Sequence, residues 1–143
     1  MPINTAYIKE KLASSKKYLE TLKDIQELPK LDFLENLPIQ LQAERLFEIL
    51  TLIILDICTH IVANSTELPP ESYSDCMITL ARLNVITSDD SEKFVRIIKM
   101  RNIIVHRYGK LDLELLYNGI QMLDKDFLKF KEEVTKWLNS QKT

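Results

Sequence analysis

IQLQAERLFEILTLIILDICTHIVAN, residues 39–64, is the longest apolar stretch of the chain. Leu41, Leu46, Phe47, Ile49, Leu50, Ile53, Ile54, Ile57, Cys58 and Ile61 fill more than one face of a helix. A helix apolar on most sides belongs at the centre of a core, with part of its surface left for a second subunit to cover. Glu48 and Asp56 interrupt it, and its longest charge-free run falls well short of the roughly 20 residues that span a bilayer. It reads as a core helix rather than a membrane anchor. Asp56 and His60 lie four apart, so they can share a face and hydrogen-bond each other. With no second ligand or nucleophile spaced beside it, His60 reads as a buried polar group with a structural partner.

Upstream of this segment, Pro29 and Pro38 interrupt helical patterning, because each removes a backbone donor and disfavours helix at the preceding residue. One short helical turn is expected between them, over Leu31 to Leu37. Before Pro29, Ile8, Leu12, Leu19, Leu22 and Ile25 return to one face, which predicts a first helix capped by Asn4 or Thr5. Its opposite face mixes lysines with acids and reads as solvated surface.

Downstream, STELPPES (residues 65–72) is a loop within the domain. A helix over Tyr73 to Leu83 follows and ends before TSDDSE. There Thr87 or Ser88 can cap the next helix, whose positive first turn receives Asp89, Asp90 and Glu92. This helix runs through Phe94, Ile97, Ile98, Met100 and Ile104, and is expected to wind down near His106, with Gly109 placed to end it. Asp112 to Leu138 carries helical spacing through Leu116, Ile120, Leu123, Phe127, Phe130 and Val134. The expectation is an all-α fold, an antiparallel bundle of four to five helices forming a single domain over residues 1–143.

Composition agrees with that class and narrows the function. Two glycines and five prolines in 143 residues suit long helices with short links. Nineteen Lys and Arg nearly balance 21 Asp and Glu, which argues against nonspecific coating of nucleic acid, so any nucleic-acid contact must be local. The N-terminal MPINTAYIKEKLASSKKYLE lacks the apolar core of a secretory signal, so a cytoplasmic protein is expected. Cys58 and Cys76 lack metal-ligand spacing and read as buried free thiols. Neither a paired-cysteine site, an HExxH helix nor a glycine-rich phosphate loop occurs, so neither a metal nor a cofactor is invoked.

The local basic feature is the stretch from Lys93 to Leu111, with Lys93, Arg96, Lys99, Arg101, Arg107 and Lys110 and no acid. Within it RNIIVHRY, residues 101–108, gathers an arginine, an asparagine, a histidine and a tyrosine. Arginine offers a permanent forked cation for phosphate oxygens, and histidine can exchange a proton near neutral pH. Arg96, Lys99, Arg107 and Lys110 are candidate RNA contacts. On an ideal helix Arg101 and Tyr108 share a face while His106 lies about 140° away. Convergence therefore requires either that the helix wind down at His106 or that the same segment of a second subunit complete the site, and both are expected.

Arg101, Asn102, His106 and Tyr108 resemble the RX4HXY signature of HEPN-domain toxins of the HepT type. The resemblance extends to the apolar helix with Asp56, the loop before Tyr73 and the LDLELLY run, and so covers nearly the whole chain. It implies a HEPN-like bundle, a symmetric homodimer with both motifs at the intersubunit cleft, and metal-independent cleavage of RNA, either tRNA or mRNA. It also implies a partner, an MntA-type nucleotidyltransferase antitoxin that transfers AMP onto the motif tyrosine, here Tyr108. On that footing His106 moves the proton, Arg101 stabilises the crowded phosphate, and Asn102 orients the motif or hydrogen-bonds across the dimer. The competing reading is a non-catalytic helical subunit that docks on a nucleotidyltransferase and presents its substrate; a third is a helical dimerisation adaptor.

Overall fold

A computed structural model describes residues 3–106 and 111–141, with side chains as far as Ile104 in the first stretch. The described residues form seven helices: α1 (Thr5–Ser14), α2 (Lys16–Gln26), α3 (Lys30–Leu34), α4 (Leu37–Ala63), α5 (Tyr73–Arg82), α6 (Ser88–His106) and α7 (Leu113–Ser140). No strand occurs among them. Taking α1 and α2 as one bent rod and α3 as a connecting turn, the bundle has five principal members, as the apolar spacing requires.

Most boundaries follow from side chains that supply missing backbone partners. Asn4, Asn36, Ser72 and Asp112 each accept from a first-turn N–H, of Tyr7, Ile39, Asp75 and Leu115 respectively. Thr87 does the same for α6 through Oγ1, which accepts from Asp90 N at 3.1 Å. At the far end of α5, Asn84 takes a left-handed conformation (φ 61°). This lets Val85 N return to Leu80 O at 3.0 Å and closes the helix.

Two boundaries differ from the sequence expectation. The first helix is divided at Ser15, a buried residue whose hydroxyl donates to Leu12 O at 2.5 Å, just after Ser14 Oγ donates to Lys11 O. Such back-bonding competes with the helical ladder and turns the chain. In addition, α3 ends at Leu34 and α4 already begins at Leu37, because Pro38 sits in the first helical turn, where its missing donor is not needed. Gln40 secures this junction by donating to Phe33 O and Leu34 O.

α4 is long and apolar enough to cross a membrane, yet most of it is buried within the bundle, where it packs against all six other helices. Phe47, Leu50, Ile54, Ile57, Cys58 and Ile61 are each at most 2% exposed. Cys58 and Cys76 are buried free thiols between α4 and α5. Burial pushes the Cys58 thiol up, while a hydrogen bond with Cys58 lowers that of Cys76.

Helix directions follow from paired contacts. Lys11 meets Asp56 and Tyr7 meets His60, so α1 runs antiparallel to α4. Along α6 and α7, Met100 meets Gly119, Phe94 meets Phe130 edge-on at 5.3 Å, and Thr87 meets Glu133, again antiparallel. Gln26 ties α2 to α7 by donating to Ile120 O and Asp124 Oδ1.

Candidate functional site

α6 carries the motif with two contrasting faces. Phe94, Ile97, Ile98 and Ile104 point into the core, and Arg101 follows them in register. Its side chain is only 18% exposed and faces α4, where Nη2 lies 4.0 Å from Glu48 Oε1. The Arg101 Nε is buried and finds no hydrogen-bond acceptor among the described residues. A guanidinium carries five N–H donors. Among the described residues, none of the donors of Arg101 makes a hydrogen bond.

The other face of α6 presents Arg96, Lys99 and Asn102 to solvent, with Ile103 exposed among them. Helix α6 continues to His106, which places that residue's backbone about 140° around the axis from Arg101, on the side of Asn102 and Ile103. Arg101 and His106 of one chain therefore occupy different faces. The His106 side chain, and Arg107, Tyr108, Gly109 and Lys110 entirely, lie outside the described residues.

The basic stretch is acid-free along the chain but not in space. Lys93 Nζ reaches Asp90 Oδ1 at 3.5 Å, Glu48 faces Arg101, and Asp126 of α7 faces Lys93 and Arg96. Burial pushes the Asp126 carboxyl up, against the pull of those two cations. A groove of about 300 Å³ between α6 and α7 is lined by Lys93, Arg96, Met100, Asn118, Met122 and Asp126. Its floor is the meeting of Phe47, Met100 and Gly119. A Cβ on Gly119 would stand 2.6 Å from Met100 Sδ and 3.0 Å from the Phe47 ring, so glycine permits this approach of α6 to α7. Lys99 is exposed and has no ion partner among the described residues.

The second histidine is committed elsewhere. His60 Nε2 accepts from Asn4 N at 3.0 Å, and its ring packs against Tyr7 with centroids 4.8 Å apart. Asp56 pairs with Lys11 at 3.0 Å and makes no hydrogen bond to His60, as the four-residue spacing had allowed. Both take partners from α1 and its cap, which reach them sooner than they reach each other. His60 is held by the cap and first turn of α1.

At the start of α6, Thr87 N donates to Glu133 Oε1 at 3.3 Å. Burial, reinforced by the neighbouring Asp90, pushes the Glu133 carboxyl up to about 7. No three residues among His, Cys, Asp and Glu come together as a metal site would need among the described residues. Sequence reasoning passed over Glu48 and Gly119. The available signals were an acid interrupting the most apolar helix and a lone glycine inside a helical segment.

Comparison with known proteins connects this geometry to a family. The model of the HepT-like family, described as ribonuclease HepT-like, matches residues 15–134, which include Glu48 and the whole RNIIVHRY stretch. A "tRNA nuclease HepT" from Aphanizomenon flos-aquae is 22% identical over 136 residues, covering 95% of this chain and 92% of that protein. An "mRNA nuclease HepT" from Shewanella oneidensis is 33% identical over 76 residues, covering 53% of this chain and 57% of that protein. The solved structure of a tri-AMPylated Shewanella oneidensis HEPN toxin in complex with MNT antitoxin shares the fold. It has a TM-score of 0.81 at 24% identity and covers 90% of this chain and 96% of that one. The chain belongs to the ribonuclease HepT-like family.

Proposed function

We propose that this protein is the toxin of a cytoplasmic toxin–antitoxin pair. It is a ribonuclease that cuts RNA without a metal ion through Arg101 and His106 at a two-fold dimer interface. An MntA-type nucleotidyltransferase silences it by adenylylating Tyr108. The observation that carries the reading is Arg101: a half-buried guanidinium, its Nε without an acceptor among the described residues, five residues before His106 in the matched family region. Relatives named as tRNA and mRNA nucleases, and an AMPylated relative bound to an MNT antitoxin, support it.

The chemistry uses the substrate's own nucleophile. A base takes the 2′-hydroxyl proton, the 2′-oxygen attacks the adjacent phosphorus, the bond to the 5′-oxygen breaks, and an acid gives that oxygen a proton. The products are a 2′,3′-cyclic phosphate and a 5′-hydroxyl. Arg101 stabilises the crowded phosphate and His106 transfers the proton. Because the two stand on different faces of α6, a single chain does not gather acid, base and cation in one place. A symmetric pair of chains supplies two copies of each from one gene product. Exposed Ile103, beside Asn102 on the His106 side of α6, suits burial against a second copy. Asn102 orients the motif there, and Arg96 and Lys99, with Arg107 and Lys110, draw in the RNA backbone.

In the silencing step the Tyr108 phenol oxygen attacks the α-phosphorus of ATP, loses its proton and expels pyrophosphate. The attached AMP brings negative charge and bulk to the entry of the RNA phosphate.

The deciding experiment incubates purified protein with tRNA and with mRNA in EDTA, alongside Arg101→Ala and His106→Ala. Cleavage leaving cyclic phosphate ends, reduced about 10²- to 10⁴-fold in His106→Ala, is expected. Cleavage at the full rate in a well-folded His106→Ala overturns the reading, and cleavage at the full rate in both variants points to a contaminant or another site. Coexpression with the cognate transferase should place adenylate on the peptide containing Tyr108; modification only elsewhere overturns that part.

A further inference from the structure

Glu48 stands between two guanidinium groups. Its Oε1 is 4.0 Å from Arg101 Nη2, and its Oε2 is 3.5 Å from Arg45 Nη1 one turn earlier on α4. We propose that Glu48 is a positioning residue for RNA cleavage, localising the Arg101 guanidinium by charge while leaving its N–H donors free for the RNA phosphate. The inference rests on the function proposed above.

Arg101 has been drawn largely out of water, with its side chain 18% exposed. An arginine stem is long enough to carry its head back to solvent, and a buried cation without a counter-charge would do so. Glu48 provides that counter-charge.

The separation from Arg101 matters as much as the charge. At 4.0 Å the carboxylate is beyond hydrogen-bond distance, so it attracts the guanidinium without using its donors. A carboxylate that blocked Arg101 until RNA displaced it would instead hold it by direct hydrogen bonds.

Glu48 is itself held in place. It follows Phe47, which is 2% exposed, on the most buried helix of the bundle, so its backbone is fixed by the core. Arg45 draws Oε2 the other way along α4, which turns Oε1 towards Arg101.

The test measures cleavage of one RNA by the full chain, with enzyme in excess for slow variants, comparing wild type, Glu48→Gln, Glu48→Asp, Arg101→Ala, His106→Ala and the Glu48→Gln/Arg101→Ala double variant. In Glu48→Gln, which keeps the shape and removes the charge, kcat should fall about tenfold to a hundredfold, the scale of a displaced catalytic group, while KM shifts far less. Glu48→Asp should recover part of that rate, and the double variant should be no slower than Arg101→Ala alone. Three outcomes overturn the inference: a Glu48→Gln rate at or above wild type, the same fractional loss when Arg101 is already absent, or a rate loss in both Glu48 variants matched by lost folded protein. If any of these occurs while His106→Ala is inactive, the ribonuclease reading stands and the positioning role alone falls. Equal cleavage by wild type and His106→Ala removes both.

Discussion

The two halves of α4 hold their charged neighbours differently. Towards its C-terminus, Asp56 meets Lys11 at 3.0 Å and His60 accepts from Asn4 N at 3.0 Å. Nearer its N-terminus, Glu48 stays 4.0 Å from Arg101, whose Nε is buried without an acceptor among the described residues. Groups that hold a fold together are paired at hydrogen-bond distance, because unmet donors in a protein interior are costly. A cation kept near a counter-charge but short of acceptors is suited to receiving one from outside. On the function proposed above, polar groups on one helix serve attachment at one end and recognition at the other.

The widest separation between the two ends should come from their histidines. His106→Ala is expected to lower RNA cleavage about 10²- to 10⁴-fold. His60→Ala should leave the rate per folded molecule within about twofold and cost about 1–2 kcal/mol of stability through the lost acceptor and ring contact. Denaturant titration beside cleavage assays separates the two, and an inactive but fully folded His60→Ala would erase the contrast.

Next in size is the packing of α6 against α7. Gly119→Leu should lower stability by about 1–3 kcal/mol, because Phe47 and Met100 leave no room for a branched side chain. Gly119→Ala should nearly break even: the flexible Met100 thioether can yield, and alanine gains up to about 1 kcal/mol over glycine within a helix. Thermal melts of both variants check this, and equal melting temperatures would show that the helices are not in close contact there.

A smaller effect should appear at the other end of α6. Burial and Asp90 raise Glu133 from the ordinary carboxylate range to about 7 in the folded protein. Its contribution to stability is therefore full below the ordinary carboxylate value and is lost as pH rises through about 7. Glu133→Gln, which stays neutral, should gain on the wild type between pH 5 and 8 by on the order of 1 kcal/mol, solvent screening included. Urea midpoints across that range should diverge in this direction; parallel curves would mean that Glu133 titrates normally. The smallest effect is expected at the Lys11–Asp56 pair. Both side chains are about a third exposed or more, so a double-mutant cycle should return no more than about 1 kcal/mol.

Much of the fold was legible because it is local. Caps such as Asn4 and Thr87 act within one turn, and the 3.6-residue spacing of Leu116, Ile120, Leu123 and Phe127 marks the buried face of α7 without knowledge of its neighbours. The break at Ser15 was not legible, because a serine that bonds back to the preceding turn looks in sequence like one that faces solvent. Charge partners were hidden for a related reason. Asp56 and His60 are spaced to meet, yet each found a nearer partner on α1, and the acid-free stretch after Lys93 acquires Glu48 and Asp126 only when other helices pack against it. The motif residues could be named from their order, and the 140° offset of His106 from Arg101 follows from helical periodicity alone. That Arg101 is half-buried, with Glu48 facing it, depends on which helix lies across from it.

The missing side chain at Gly119 has a consequence for how this surface can change. The depth at which the arginine-bearing helix settles into the bundle is set by a hydrogen atom on a different helix, remote from any reacting group. Variation at that position is therefore restrained by packing: the flexible Met100 thioether can give way to a methyl group, whereas a larger side chain would have to push the arginine-bearing helix off its seat.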